Sequence, residues 1–500
     1  MKKHANSVVH PNWSSLPIIL FYAVCAFIID FLYENQLAMQ VVFSVLIGVT
    51  VLFFMTKRYN YCLGCVFFMF VLFDSAPRLL YGFSQDKFYS ILNLKLIGLS
   101  VFHLLYMVFL VFFVSIVAKK RRVRLYYPLV LYFCYMVFFG LSMWLFLRND
   151  DVALVSEYSL RYVVAYSCFM LGFLVFYNLE EVEAVDVNRM MHTLICLCLG
   201  KMLSSVFLLF SMRFAIWGSL LITMRPAFPI NIVVLVLSVY CLINKRYGFA
   251  LLIVPFLLFE YFRYFQRSTL LSIGVVLAIF GYILLRKQKL SFFVLRVALV
   301  MIVLSVGGYL WALDSLGGGF YLQIAQEISS MNISTENLRV VEFINVVMEN
   351  SENPFTFLLG GGVTNMFEFD YISYSKTLTT SDYPVEMLAG EHFYPHSFFN
   401  LYLMKGGVLG LFFYALLICM IFYKISGYLK VTRVSENDIC SIALLFSLAY
   451  SLIWNFPTNY VGNLGYGVIF GVLFNYFEYK KRVYNHGLQK SDYDVMQAHS

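Results

Sequence analysis

Apolar runs of about 20 residues, the length an α-helix needs to cross the hydrocarbon core of a bilayer, recur from one end of this 500-residue sequence to the other. They fall near 17–33, 37–55, 61–80, 96–118, 126–147, 162–179, 191–212, 226–243, 247–265, 268–285, 291–313, 397–423, 438–456 and 460–478. This pattern predicts an all-α polytopic membrane protein with about fourteen transmembrane helices. The third run is the weakest, because Asp74 and Arg78 sit near its end. The first two are joined by so few residues that a tight helical hairpin is expected. Composition agrees: 61% of the residues are hydrophobic and only 13% charged. On length alone the chain has room for several soluble domains, but none could hide that much apolar surface from water. The first run lacks a small-residue cleavage site, so no cleavable signal is expected.

Lys and Arg set the orientation. Basic residues cluster at Lys2–Lys3, Lys57–Arg58, Lys119 to Arg124, Arg189, Lys245–Arg246, Arg286 to Arg296, Lys424 to Arg433 and Lys480 to Lys490. All of these fall on one side, which outweighs the other by about two to one, and that side is cytoplasmic by the positive-inside rule. Both termini are therefore expected in the cytoplasm. The net charge of +8 needs no nucleic-acid partner, since the basic runs act as topological anchors against the lipid bilayer. The ten cysteines lie in or beside apolar runs, and the Cys62–Cys65 pair reads as small buried residues rather than a redox motif.

One segment breaks the monotony. Residues 314–396 are of mixed polarity and too long for a connector, which points to a functional element on the outer face. They divide the chain into a membrane domain of about eleven spans (1–313), this large loop (314–396), a second membrane part with the last three spans (397–478) and a cytoplasmic tail (479–500). Within the loop, Ser334 or Thr335 is placed to cap an amphipathic helix in which Leu338, Val341, Phe343, Ile344, Val347 and Met348 recur at helical spacing. Such a helix lies on the membrane surface or caps a cavity. Pro354 follows its end, and Gly360-Gly361-Gly362 marks a tight turn.

The outward-facing charges are the candidate chemistry. Arg213, Arg225, Arg263 and Arg267 fall at one depth on the outer side. Each can snorkel to lipid phosphate, and Arg263 can pair with Glu260. Together they can also form a bidentate clamp for a phosphate or pyrophosphate, which the planar guanidinium suits better than an ammonium. Of eight histidines only His392 and His396 lie in the outer loop, beside Glu391 and Tyr394, where the chain re-enters the membrane. No HxH or HExxH spacing accompanies them, so a metal site is not expected and general-base or hydrogen-bonding work suits them better. Gly407 follows His396, and Gly274 follows Arg263, by eleven residues, about three helical turns or roughly 16 Å on one face. A glycine there lets a neighbouring helix approach closely. Asn400, one turn after His396, is placed to orient the imidazole.

The stretch from Asn337-Leu338-Arg339 through Pro354 and Gly360-Gly361-Gly362, then Pro395-His396-Ser397-Phe398-Phe399-Asn400-Leu401 and Gly406-Gly407-Val408-Leu409-Gly410-Leu411, resembles the O-antigen polymerase and ligase superfamily. The segment around Arg263, Arg267, Ser268 and Thr269 resembles that family's Arg-Ser/Thr turn. The detailed resemblance covers about 225–411, and the rest is similar in topology only. It departs at Ser397, where family members often carry Asn directly after the His. The resemblance implies a C-type glycosyltransferase fold in the bacterial inner membrane with a large periplasmic loop. It implies a metal-independent, inverting enzyme without cofactor, acting on undecaprenyl-pyrophosphate-linked oligosaccharide. Arg263, Arg267 and Arg225 would then bind pyrophosphate and His396 would be the base for the acceptor hydroxyl, with His392 in reserve. Arg339 would hold a second pyrophosphate or cap the site, and Asn400, Gly407 and Gly274 would support it. A chain-length-determining co-polymerase is the partner the resemblance implies.

Rival readings remain at this level. A ligase of the same superfamily would move the finished chain onto lipid A core, though fourteen spans fit the polymerases better. A lipid-linked oligosaccharide flippase, from a different class, would need charges lining a central cavity. Here Lys201 and Lys405 are the chief cations within spans. A receptor or scaffold has only the long loop in its favour.

Overall fold

The computed structural model describes residues 15–32, 36–73, 95–96, 99–120, 123–139, 152–179, 187–211, 230–243, 278, 281, 342–362, 365, 398–431, 436–455 and 460–498. In chain order its helices are α1 (Leu16–Leu32), α2 (Gln36–Met55), α3 (Tyr59–Leu72), α4 (Val101–Lys119) and α5 (Tyr127–Cys134), which continues as a π-helical segment over Tyr135–Phe139. Then come α6 (Val152–Tyr177), α7 (Val187–Ser211), α8 (Ile230–Ile243), α9 (342–351), α10 (Pro354–Leu359), α11 (Phe398–Val431), α12 (Glu436–Asn455) and α13 (Tyr460–Ala498). Among the described residues the fold is thus helical, apart from a short antiparallel ladder pairing Lys95 with Ser100 and Leu96 with Leu99.

Three of the described helices are long and apolar enough to cross a membrane: Leu37–Met55, Val101–Lys119 and Phe399–Leu429. Shorter apolar stretches lie at Leu16–Ile29, Tyr59–Leu72, Tyr127–Phe139, Ser167–Tyr177 and Asp438–Tyr450. Large apolar side chains face outward along the helices, among them Phe21, Leu37, Val45, Val111 and Phe412. Such an exterior is stable in lipid and not in water, and it makes this a membrane protein. The runs expected at 247–265, 268–285 and 291–313 lie outside the described residues, save positions 278 and 281.

Helix ends differ from the apolar runs where local chemistry intervenes. α3 stops at Leu72, short of Asp74. α4 starts at Val101 rather than 96, because the ladder takes the preceding residues and the Ser100 hydroxyl accepts the His103 backbone N–H at 3.3 Å as a helix cap. α13 runs on to Ala498, so most of the expected tail continues the last helix.

Glycines decide which helices meet. α1 packs mainly along α7, and its contact with α2 is slight despite their short connection, which corrects the expected hairpin. The reason is Gly200: a Cβ there would lie 2.6 Å from Tyr22 Cβ and 2.9 Å from the Ala23 nitrogen, so the two backbones touch. α6 and α13 meet in the same way along Gly172, Gly467 and Gly471, where a Cβ at 172 would sit 2.6 Å from the Leu464 carbonyl oxygen and one at 471 would sit 2.5 Å from that of Phe173. Spacing of four between Gly467 and Gly471 puts both on one face of α13.

The ends of these helices opposite the break described below are tied by side chains. Asn475 Nδ2 donates to the carbonyls of Phe176 (3.2 Å) and Leu179 (3.0 Å), satisfying groups that the end of α6 leaves free. Its Oδ1 accepts from Arg124 at 3.1 Å. Lys424 pairs with Glu478 at 2.6 Å, and its ammonium lies 4.8–4.9 Å from the ring centroids of Tyr126, Tyr177 and Phe474. Lys480 pairs with buried Asp438 at 2.7 Å. All ten cysteines are free thiols.

Candidate functional site

Of the residues singled out in the sequence, Arg225, Arg263, Arg267, Gly274, Arg339, His392 and His396 lie outside the described residues. Asn400 and Gly407 are described, and both belong to a local structure that the apolar pattern does not foretell. α11 is broken. Gly407 adopts φ 62° and ψ −164°, a region essentially closed to residues with a Cβ. A Cβ at 407 would also stand 2.6 Å from the carbonyl oxygen of Leu358. Gly407 therefore admits a close approach, but the approaching backbone is the segment 358–360 rather than a neighbouring span, and the glycine itself ends the first half-helix.

A break inside an apolar helix strands carbonyls that would otherwise accept from the next turn, and in a bilayer each must find a partner. Here the loop supplies them. The backbone N–H of Gly361 donates to Met404 O (3.0 Å) and that of Gly362 to Lys405 O (3.1 Å). Asn350 Nδ2 donates to Leu403 O (2.8 Å), and Asn365 Nδ2 donates to Met404 O (3.0 Å) and to Asn350 Oδ1 (3.2 Å). Gly360 and Gly362 have φ of 82° and 80°, so the turn that presents these N–H groups depends on glycine. Lys405, wholly buried, turns its ammonium onto the carbonyl of Asn365 at 2.5 Å. Three glycines and two asparagines thus seat the loop in the gap of α11.

The π-helical segment braces the joint from the other side. Tyr135 Oη lies 2.8 Å from Gly406 O and 3.2 Å from Leu359 O, so one hydroxyl proton serves both the half-helix and the docked loop. Met136 packs where Gly406 and Gly410 leave room, since a Cβ at those positions would stand 2.8 and 3.2 Å from its sulfur. One turn earlier, Tyr132 and Tyr402 join hydroxyls at 2.6 Å, and Tyr402 stacks on Tyr414. A π segment at such a place fits the general association of these irregularities with functional sites. Replacing Tyr135 with Phe is expected to lower the thermal midpoint of detergent-purified protein, by an amount equivalent to about 1–2 kcal/mol, because two carbonyls lose a shared donor.

Helix α9 lies beside the first half of α11. The rings of Phe343 and Phe399 are 5.9 Å apart at one end, and Asn350 meets Leu403 at the other, so the two run in the same direction. Glu342, Asn345 and Asn350 are buried, as is Asn400 on the facing half-helix. At a second place within the fold, the Lys201 ammonium donates to the Leu72 carbonyl at 3.3 Å and closes the end of α3. Of the two cations noted within spans, Lys201 thus closes a helix end and Lys405 ties the loop to α11. Among the described residues no group of His, Cys, Asp and Glu is arranged to hold a metal ion.

Tyr135, Asn350 and Asn365 carry no motif of their own. The triple glycine and Gly407 advertise the joint, but neither names its partner. No family model matches the sequence, and no characterised protein or solved structure matches it.

Proposed function

We propose that this protein is a polymerase of lipid-linked polysaccharide repeat units in the bacterial inner membrane, with about fourteen spans, a C-type glycosyltransferase fold and both termini cytoplasmic. In this reading the growing glycan leaves its undecaprenyl pyrophosphate and joins the terminal sugar of an incoming lipid-linked unit at the periplasmic face. The C1–O bond to pyrophosphate breaks, the acceptor hydroxyl forms the new glycosidic bond, and its proton passes to His396 as base, with His392 in reserve. Arg225, Arg263 and Arg267 stabilise the departing pyrophosphate, and Arg339 holds the second pyrophosphate or covers the site.

The observation that carries this reading is the joint at Gly407. A reaction at the membrane surface between two lipid-anchored substrates needs a loop held rigidly against the bilayer. The chain that follows Arg339 and the chain that follows His396 are locked together by Phe343 on Phe399 and by the asparagine and glycine contacts at 403–405. Charge-assisted hydrogen bonds of the kind assigned to the arginines are worth about 1.5–3 kcal/mol each, and those that tighten as the bond breaks speed the step.

Deleting the gene in its host and examining the lipopolysaccharide on a gel, beside the complemented strain, separates the classes. Core bearing a single repeat unit, with the ladder restored on complementation, is the expected result. Bare core with polymer held on its lipid carrier would instead indicate a ligase, and bare core with single units trapped on the cytoplasmic leaflet a flippase.

A further inference from the structure

The loop segment 342–359 wears its polarity inside out. On α9 the buried positions are Glu342 and Asn345, each 0% exposed, with Val346 and Asn350 at 1%, whereas Phe343 and Met348 are 38% and 43% exposed. On α10 no residue is buried, and Phe355, Phe357 and Leu358 all face out, Phe355 at 69%. A helix resting on a protein from the aqueous side buries its apolar stripe and exposes its polar one. This one does the reverse, which is the arrangement stable in lipid.

Two further observations say what covers the apolar side. Through the Phe343–Phe399 contact it is continuous with the exposed face of α11, where Phe399, Val408, Phe412 and Tyr423 point outward along a helix long and apolar enough to cross the membrane. Depth follows from length. The polar knot at Lys424 and Glu478 marks one end of the apolar part of α11, and about 20 residues, one bilayer's worth of helix, lead back from it to Met404. A hydrocarbon core ending at that knot would put the joint at 403–407 at its opposite boundary, with α9 and α10 beside it. Ser351, Glu352 and Asn353, exposed between the two helices, are the polar groups expected of a segment at headgroup level.

We infer that residues 342–359 form an interfacial membrane element, with Phe343, Met348, Phe355, Phe357 and Leu358 seated among lipid acyl chains and the polar face turned onto the broken helix. The loop is fastened on two sides, by hydrogen bonds to α11 and by hydrocarbon. Burial, packing and helix length place this element, independently of the reaction proposed above.

Photocrosslinking tests it. Benzoylphenylalanine is placed at Phe355, at Phe357 and, as a control on the outward face of α11, at Tyr423, in full-length protein reconstituted into phosphatidylethanolamine–phosphatidylglycerol vesicles. Illumination followed by mass spectrometry is expected to give lipid adducts at all three positions. Lipid adducts at Tyr423 alone, with Phe355 and Phe357 crosslinked to another segment of the chain or carrying no adduct, would overturn the inference.

Discussion

Alanine at Gly407 is expected to undo the joint and with it the folded protein. Two costs fall on the same methyl group. The backbone at φ 62° and ψ −164° is held in a region where a residue with a Cβ pays about 1–3 kcal/mol. The Cβ would also press on the Leu358 carbonyl 2.6 Å away, a backbone atom that cannot swing aside as a side chain can. Relief requires either a continuous helix through 407, which withdraws the carbonyls of Leu403, Met404 and Lys405 from Asn350, Gly361, Asn365 and Gly362, or expulsion of the 358–362 turn. Either outcome leaves Lys405 and the buried asparagines to find new partners in an apolar surrounding, at about 1–3 kcal/mol for each unsatisfied group. Gly410→Ala is the comparison, because its new methyl group would meet the Met136 sulfur at 3.2 Å, on a side chain able to adjust. In detergent-solubilised protein followed by size-exclusion chromatography during heating, the 407 variant should aggregate far below the wild type while the 410 variant stays near it. Equal midpoints for the two would mean that the break contributes nothing to stability.

The contrast between these glycines shows what the sequence can tell. Apolar runs locate helices well because a bilayer asks a similar length of every span, and α1, α2, α3, α5, α11, α12 and α13 start close to where the runs do, whereas α6 begins ten residues ahead of its run. The triple glycine and Gly407 are conspicuous as glycines. Their connection is not, because a hydrogen bond between Gly361 and Met404 spans a separation in sequence that no periodicity records. Periodicity does give α9 an apolar face. It cannot say which medium that face meets, since helices on a wet surface and helices at a lipid surface share the same 3.6-residue repeat. The burial of Glu342 and Asn345, together with Phe343 resting against Phe399 on the outward face of α11, favours lipid. The partner of α1 was hidden for a related reason: chain proximity favours α2, and the choice of α7 turns on Gly200 within a long apolar run. Of the proposed chemistry, Asn400 is seen to be buried on the first turn of α11, while the arginines and histidines rest on the sequence and its resemblance.

Those residues carry the other large expected effect. If His396 takes the proton of the acceptor hydroxyl, His396→Ala should slow chain extension by about 10²–10⁴-fold, the usual contribution of a positioned base. The lipopolysaccharide ladder should then collapse to core plus one unit although the protein remains at normal level in the membrane. Arg263→Ala should do the same through the leaving group. Arg263→Lys sharpens the test: an ammonium keeps the charge but loses the planar fork, so bidentate pyrophosphate binding predicts a defect nearly as severe as that of alanine, whereas snorkelling to lipid phosphate predicts wild-type chains. Protein level and chromatographic behaviour must be followed alongside, because a variant that fails to accumulate gives the same gel as one that fails to react. Normal ladders from well-folded His396→Ala and Arg263→Ala proteins would remove both residues from the reaction. Asn400→Ala then separates orientation from stability: if this buried amide positions the imidazole, chain length should fall while the thermal midpoint drops by no more than a single lost hydrogen bond explains, about 1 kcal/mol. A large drop in midpoint with chains of normal length would make Asn400 part of the packing between α9 and α11 instead.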